Sequence, residues 1–152
     1  MAVRIREFCE GDLAAVLNIQ SQAPQAAQWN AADYLTLAGD PFGLILVAEI
    51  EAATQPWVVG FSAFHRVLDE AELRNMAVAP SHQRQGLGRS LVGEGKRHLR
   101  ELGVAKIYLE VRASNLPAQR LYQSAGFSFC ARRPDYYQDP REDGLVLALI
   151  SA

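Results

Sequence analysis

Cysteine is nearly absent: of 152 residues only Cys9 and Cys130 carry a thiol, far apart and in no metal-ligand spacing. That argues against a disulfide framework or a zinc site, and reads as two reduced thiols in a cytoplasmic protein. Neither sign of charge dominates, with 15 Lys and Arg against 17 Asp and Glu and a net charge of −2. A general polyanion binder would show a basic stripe, so nucleic acid is not an expected partner. Mild acidity suits a basic or amine-bearing one instead. Long apolar runs are missing, and each falls far short of the roughly 20 residues that a membrane span needs. Arg4, Arg6 and Glu7 interrupt the N-terminus, so no signal peptide is expected and the chain reads as soluble, with no membrane partner. Repeats, low-complexity tracts and linkers are lacking too. With 49% hydrophobic residues, span 1–152 reads as one domain around one continuous core.

What is there is an alternation of strand and helix patterns. Val3, Ile5 and Phe8 alternate with charged residues, which predicts a first strand. Asp12 is placed to cap a helix bearing Leu13, Val16, Leu17 and Ile19, and Asn30 to cap a second through Leu37, ended by Gly39-Asp40-Pro41. Gln20 to Trp29, between them, is polar and flexible in composition. Gly43–Ile50, Trp57–Val67 and Ala71–Val78 follow as an antiparallel meander. After Pro80 the period changes: Leu87, Leu91, Leu99 and Leu102, with His98, fall at helical spacing until Gly103 stops the helix. Lys106–Val111 reads as a buried strand. Asn115 caps a helix with Pro117 near its start and Gly126 past its end. Phe127–Arg133 and Leu145–Ile150 close the chain as strands. The class is α/β with a mixed sheet and a β-α-β-α-β run in the second half.

The informative segment is Gln83-Arg84-Gln85-Gly86-Leu87-Gly88-Arg89, between a strand and the helix it opens. A glycine-bearing turn at a helix start exposes unpaired backbone N–H groups backed by the helix dipole, an anion site suited to a pyrophosphate. Gly86 and Gly88 would let phosphates approach with no Cβ in the way, and Arg84 and Arg89 would add charge-assisted bonds. A dinucleotide fingerprint is excluded because Leu91 stands where its third glycine belongs. A Walker lysine at Lys96 is excluded because Ser90 and Arg97 replace the flanking glycine and Ser/Thr. Taken alone, a pair of glycines reads as a tight strand-to-helix turn.

The pair does not stand alone. Gln83-x-x-Gly86-x-Gly88, preceded by Asn75-Met76-Ala77-Val78, resembles the coenzyme A motif of the GNAT N-acetyltransferases. Leu109-Glu110-Val111-Arg112-Ala113-Ser114-Asn115, Leu121 to Phe127, Tyr136-Tyr137 and Arg141-Glu142-Asp143 are similar to the ribosomal-protein-alanine acetyltransferase (RimI-like) subfamily. The resemblance is close from Asp69 to Ile150 and weak before that. It implies a mixed, mostly antiparallel sheet of about seven strands flanked by about four helices, with splayed parallel central strands. Acetyl-CoA would lie in the splay. Met76, Ala77 and Val78 would meet its acetyl-pantetheine end through their backbone, Arg84, Gln85, Gly86, Leu87, Gly88 and Arg89 would hold the pyrophosphate, and Asn115 would hydrogen-bond it while also capping its helix. No metal is implied.

Acetyl transfer to an amine needs a group to take the ammonium proton and a donor for the departing thiolate. In the family pattern these are Glu110, as general base, and Tyr122, as general acid. A carboxylate inside the apolar run Ile107–Val111 is costly without a partner or a task, and a phenol is protonated at neutral pH. The bland alternatives are a salt bridge from Glu110 to Arg112 or Arg74, and a core tyrosine between Ala118 and Ala125. Glu72 is the rival base, or a solvent or acceptor contact. Cys130 has no identifiable base and reads as a small buried hydrophobe, so direct attack of the amine is expected. His65, His82 and His98 read as strand surface, turn and helix face.

The acceptor groove is expected between Gln20–Trp29 and the Tyr136–Asp143 loop. Ala27-Gln28-Trp29 stands where the subfamily often has Phe-Pro-Trp. The leading reading is acetylation of a protein N-terminal alanine, by resemblance that of a ribosomal protein. A small-molecule N-acetyltransferase would use the same motif. A non-catalytic coenzyme A-binding module would leave Glu110 and Tyr122 incidental.

Overall fold

The computed structural model describes residues 2–52 and 54–150. Strand β1 (Val3–Glu7) is followed by a short 3-10 turn and helix α1 (Leu13–Ser21), then α2 (Ala31–Gly39). The meander β2 (Gly43–Ile50), β3 (Trp57–Val67) and β4 (Glu70–Val78) leads into α3 (Leu87–Glu101). The chain ends with β5 (Lys106–Arg112), α4 (Leu116–Ser124), β6 (Ser128–Tyr137) and β7 (Glu142–Ile150). Asn30 caps α2 by accepting from the Asp33 N–H at 2.9 Å, and Asn115 caps α4 by accepting from Ala118 at 3.2 Å. Gly103 and Gly126 take the positive φ that their helix ends require.

Seven strands form one sheet in the order β1-β2-β3-β4-β5-β7-β6. Every pairing is antiparallel except β4 with β5, whose parallel register covers only Glu70–Lys106, Ala71–Ile107 and Glu72–Tyr108. Beyond those pairs β4 runs on to Val78 and β5 to Arg112 without pairing to each other, so the sheet opens into a V. Arg74 is an extra residue on β4, because Asn75 faces Ala63 while Leu73 faces Phe64, and this bulge adds bend where the V opens. Strand β3 is buried on both faces from Val59 to Phe64. The Phe61 ring packs edge-on against Tyr34 of α2, at 5.7 Å. On the other face, Phe64 lies so close to Gly95 of α3 that a Cβ there would come within 2.3 Å of its ring. Helices therefore cover both faces of the sheet.

Four local expectations change. The Asp12 side chain does not cap α1. It turns back to accept from Cys9 N–H and pairs with Arg6 at 2.9 Å, while Arg6 also reaches Glu49 at 2.7 Å. Leu102 leaves the apolar stripe and is 55% exposed, because α3 ends one residue earlier. Cys130 is exposed on edge strand β6 and is no core hydrophobe. Strand β6 continues to Tyr137 and β7 starts at Glu142, so most of the expected Tyr136–Asp143 loop is hairpin.

Candidate active site

Two cavities occupy the V, one of about 870 Å³ and one of about 600 Å³. The larger is lined by Met76, Ala77 and Val78 at the end of β4, and by Arg84, Gly86, Leu87, Gly88 and Arg89 at the start of α3. The smaller is lined by Glu72 and Arg74 from β4, Glu110 and Arg112 from β5, and Tyr136 and Tyr137 from β6. Met76, Asn115, Ala118 and Tyr122 line both, so the cavities meet at the Tyr122 side chain. Of the expected phosphate-turn residues only Gln85 stays outside the lining.

The turn is built as an anion cradle. Gly86 holds a left-handed φ of 80° with open space where a Cβ would stand, and the Leu87, Gly88 and Arg89 amides begin α3. Gln83 ties the turn to β4 by donating from Nε2 to the Val78 carbonyl at 3.0 Å. Gly88 lines the larger cavity and has a packing role as well. A Cβ there would meet Leu121 Cδ2 of α4 at 2.9 Å, so its bareness also permits close helix packing. An open amide turn flanked by two arginines still fits a pyrophosphate.

Glu110 is largely shielded. Its Oε1 lies 3.5 Å from Arg133 Nε, while Oε2 is buried with no hydrogen-bond partner among the described residues. Neither Arg112 nor Arg74 pairs with it. Arg112 goes to Glu142 at 3.2 Å and stacks 4.5 Å over Tyr137, and Arg74 goes to Glu72 at 2.8 Å. An unpartnered buried carboxylate oxygen costs free energy unless a donor arrives, and a cavity is where one would. The Glu110 carboxylate, then burial, hold the Tyr136 phenol above its ordinary range. Burial, then Glu110, push Tyr137 up to about 12. Burial likewise pushes Tyr122 up to about 12. All three phenols stay protonated at neutral pH.

One residue that the sequence pattern did not single out, Arg133, completes the site beside the expected Tyr136. Arg133, paired with Gly144 after a register shift between Phe129 and Ala131, and Tyr136, within a second shift between Arg133 and Tyr137, approach Glu110 from β6, and no periodicity announces either shift. Arg141, Glu142 and Asp143 do not line the acceptor-side cavity. Glu142 binds Arg112 and the Ser114 N–H, Asp143 binds Arg132, and Arg141 binds Asp135. His82 is buried against the Trp57 ring and His65 pairs with Asp40 at 3.2 Å, while His98 lies half-buried on α3 near Glu94. Among the described residues no group of His, Cys, Asp or Glu gathers to hold a metal, and no helix is long and apolar enough to cross a membrane.

The family model for the acetyltransferase (GNAT) family matches residues 13–127. The chain belongs to this family. It is therefore an acetyltransferase that draws on acetyl-CoA. Among curated relatives, the [ribosomal protein bS18]-alanine N-acetyltransferase of Escherichia coli K12 is 38% identical over 91% of this chain and 90% of its own. The enzyme of that name from Haemophilus ducreyi is 32% identical over 95% and 98%. The crystal structure of the Escherichia coli ribosomal-protein-S18-alanine N-acetyltransferase superposes with a TM-score of 0.83 and 35% identity, over 99% of this chain and 96% of that one.

Proposed function

We propose that this enzyme, working as one domain, acetylates the α-amine of an N-terminal alanine, and that its substrate is ribosomal protein bS18 in the cytoplasm. The relatives that match nearly end to end carry that activity in their names. The observation that carries the chemistry is that Tyr122 lines both cavities, while Glu110, with one buried oxygen lacking a partner among the described residues, lines the smaller one. Met76, Ala77 and Val78 hold the acetyl-pantetheine end, the turn from Arg84 through Gln85, Gly86, Leu87 and Gly88 to Arg89 holds the pyrophosphate, and Asn115 assists.

Acetyl-CoA supplies the thioester. Glu110 takes the proton of the α-ammonium through Oε2, and the freed amine attacks the acetyl carbonyl carbon. As the carbon–sulfur bond breaks, Tyr122 gives its phenolic proton to the sulfur, and the second proton that the new amide nitrogen sheds returns to the phenolate. Proton and acetyl group are then accounted for without a covalent enzyme intermediate. Incubation with acetyl-CoA and a synthetic peptide beginning with alanine and bearing a nearby arginine, read by mass spectrometry, is expected to add one acetyl to the α-amine. Acetylation of polyamines or aminoglycosides with none on the peptide would replace this acceptor by a small molecule.

A further inference from the structure

Asn75 stands one residue before Met76-Ala77-Val78 on β4, on the face it shares with Ala77 and opposite to Met76, and is 5% exposed. Asparagine is depleted in strands, and burying its amide is costly unless each polar atom is partnered. Here Oδ1 accepts from the Ala27 N–H at 3.1 Å, and Nδ2 donates to the Ala27 carbonyl at 3.0 Å and to the Tyr34 hydroxyl at 3.0 Å. The Tyr34 hydroxyl in turn donates to Gln20 Oε1, and Gln20 Nε2 donates to the Trp29 carbonyl at 2.8 Å. Both main-chain groups of Ala27 are thus held as a neighbouring strand would hold them, by one side chain far away in sequence. The Tyr34 phenol is kept neutral by burial, so it can donate and accept at once.

The segment held this way contains no regular element between α1 and α2, and its Pro24, Gln25 and Ala26 wall both cavities. We propose that Asn75 is a positioning residue for the acceptor, fixing the height of loop 22–29 above the point where the two cavities meet. The proposal rests on the acetyltransfer reading above. Its physical basis is that one strand carries both the anchor of the acceptor wall and the backbone facing the acetyl group. The two are then set relative to each other by a single peptide link, Asn75 to Met76. Reacting groups must be held within about half an ångström, and a loop with few regular hydrogen bonds does not do that unaided.

Three measurements test it on the intact enzyme with acetyl-CoA and a synthetic alanine-first peptide. In wild type the Ala27 amide should exchange slowly with deuterated solvent and in Asn75→Ala quickly. Asn75→Ala should raise the peptide KM about tenfold while the acetyl-CoA Kd stays within about twofold. Tyr34→Phe, which keeps both bonds to Ala27, should shift the peptide KM in the same direction by about threefold, and the double variant by less than the product. Equal rises for peptide and acetyl-CoA would mark Asn75 as a general structural residue and overturn the proposal, as would an unmoved peptide KM in folded Asn75→Ala. Rapid exchange of Ala27 in wild type would overturn it without any variant. Wild-type enzyme inactive on the peptide would count against the acceptor assignment alone, and the anchor would then stand or fall on Ala27 protection.

Discussion

At the scale of single residues, the arrangement separates two carboxylates that the sequence left in competition. Glu110 offers a buried oxygen without a partner, whereas Glu72 is held by Arg74 at 2.8 Å and is more exposed. Glu110→Gln keeps the shape and removes the proton acceptor, so turnover should fall about 100-fold or more with acetyl-CoA binding intact. Glu72→Gln should cost far less in the same steady-state assay, and the reverse order would move the base to Glu72. Tyr122→Phe should lower turnover more than acetyl-CoA affinity, because its proton is needed only as the thiolate leaves. Burial raises this phenol to about 12, so the neutral form is favoured in the fold. Any stability it lends is intact below about pH 10 and lost as pH climbs through the folded value. The alkaline limb of the rate profile should therefore not move below about pH 10 when Tyr122 is present, as ultraviolet titration against Tyr122→Phe would verify. Glu110 and Tyr122 could be picked out because the residues around them match a family pattern, and the fold brings both to the smaller cavity. Arg133 could not, since its approach depends on an irregular β6 register that leaves no trace in residue spacing.

At the scale of elements, caps and turn glycines were readable because they act within three or four residues of where they stand. Asn30, Asn115, Gly103 and Gly126 all do what their positions predict. What escaped were contacts between elements. Gly88 was read as phosphate clearance, yet its neighbour is Leu121 of α4. Gly88→Ala should thus cost about 1–2 kcal/mol in thermal unfolding by pushing α3 off α4. Leu121→Ala in the same chain should win part of that back, and no recovery would return the glycine to the phosphates. Asp12 was read as a cap and instead serves the Arg6–Glu49 cluster joining β1, β2 and the turn before α1. The Arg6 hydrogen bond, opposed by burial, holds the Asp12 carboxyl below its usual range. Its contribution is full above the unfolded value near 4 and fades as pH falls through the lower folded one. Arg6→Met leaves two shielded carboxylates facing each other and should cost about 3 kcal/mol at neutral pH in denaturant unfolding. The penalty should shrink in acid, where the carboxylates take up protons.

At the scale of the whole molecule, the meander and the helix placement were accessible because they are local in sequence, whereas nothing local put β7 between β5 and β6. The depth of the opening between β4 and β5 was not accessible either, since it depends on where a parallel ladder stops. That ladder stops after Glu72 and Tyr108. The protein is accordingly two rafts, β1 to β4 and β5 to β7, riveted at one end and free at the other. Inner edges that elsewhere in a sheet would be sealed to each other face a gap at Ala77, Val78 and Val111. On the binding mode proposed above, a nucleotide-bearing thioester wedged there would become part of the masonry, and the molecule with its substrate would be a stiffer body than the molecule without it. Saturation at 100 times Kd should add about 2.7 kcal/mol to unfolding, seen as a rise in Tm that grows with ligand concentration. Amide exchange at those inner edges should slow together on loading, while the riveted end at Glu70–Glu72 barely changes. Slowing confined to the phosphate turn would mean that the rafts never flexed, and that the keystone only rests in an arch already rigid.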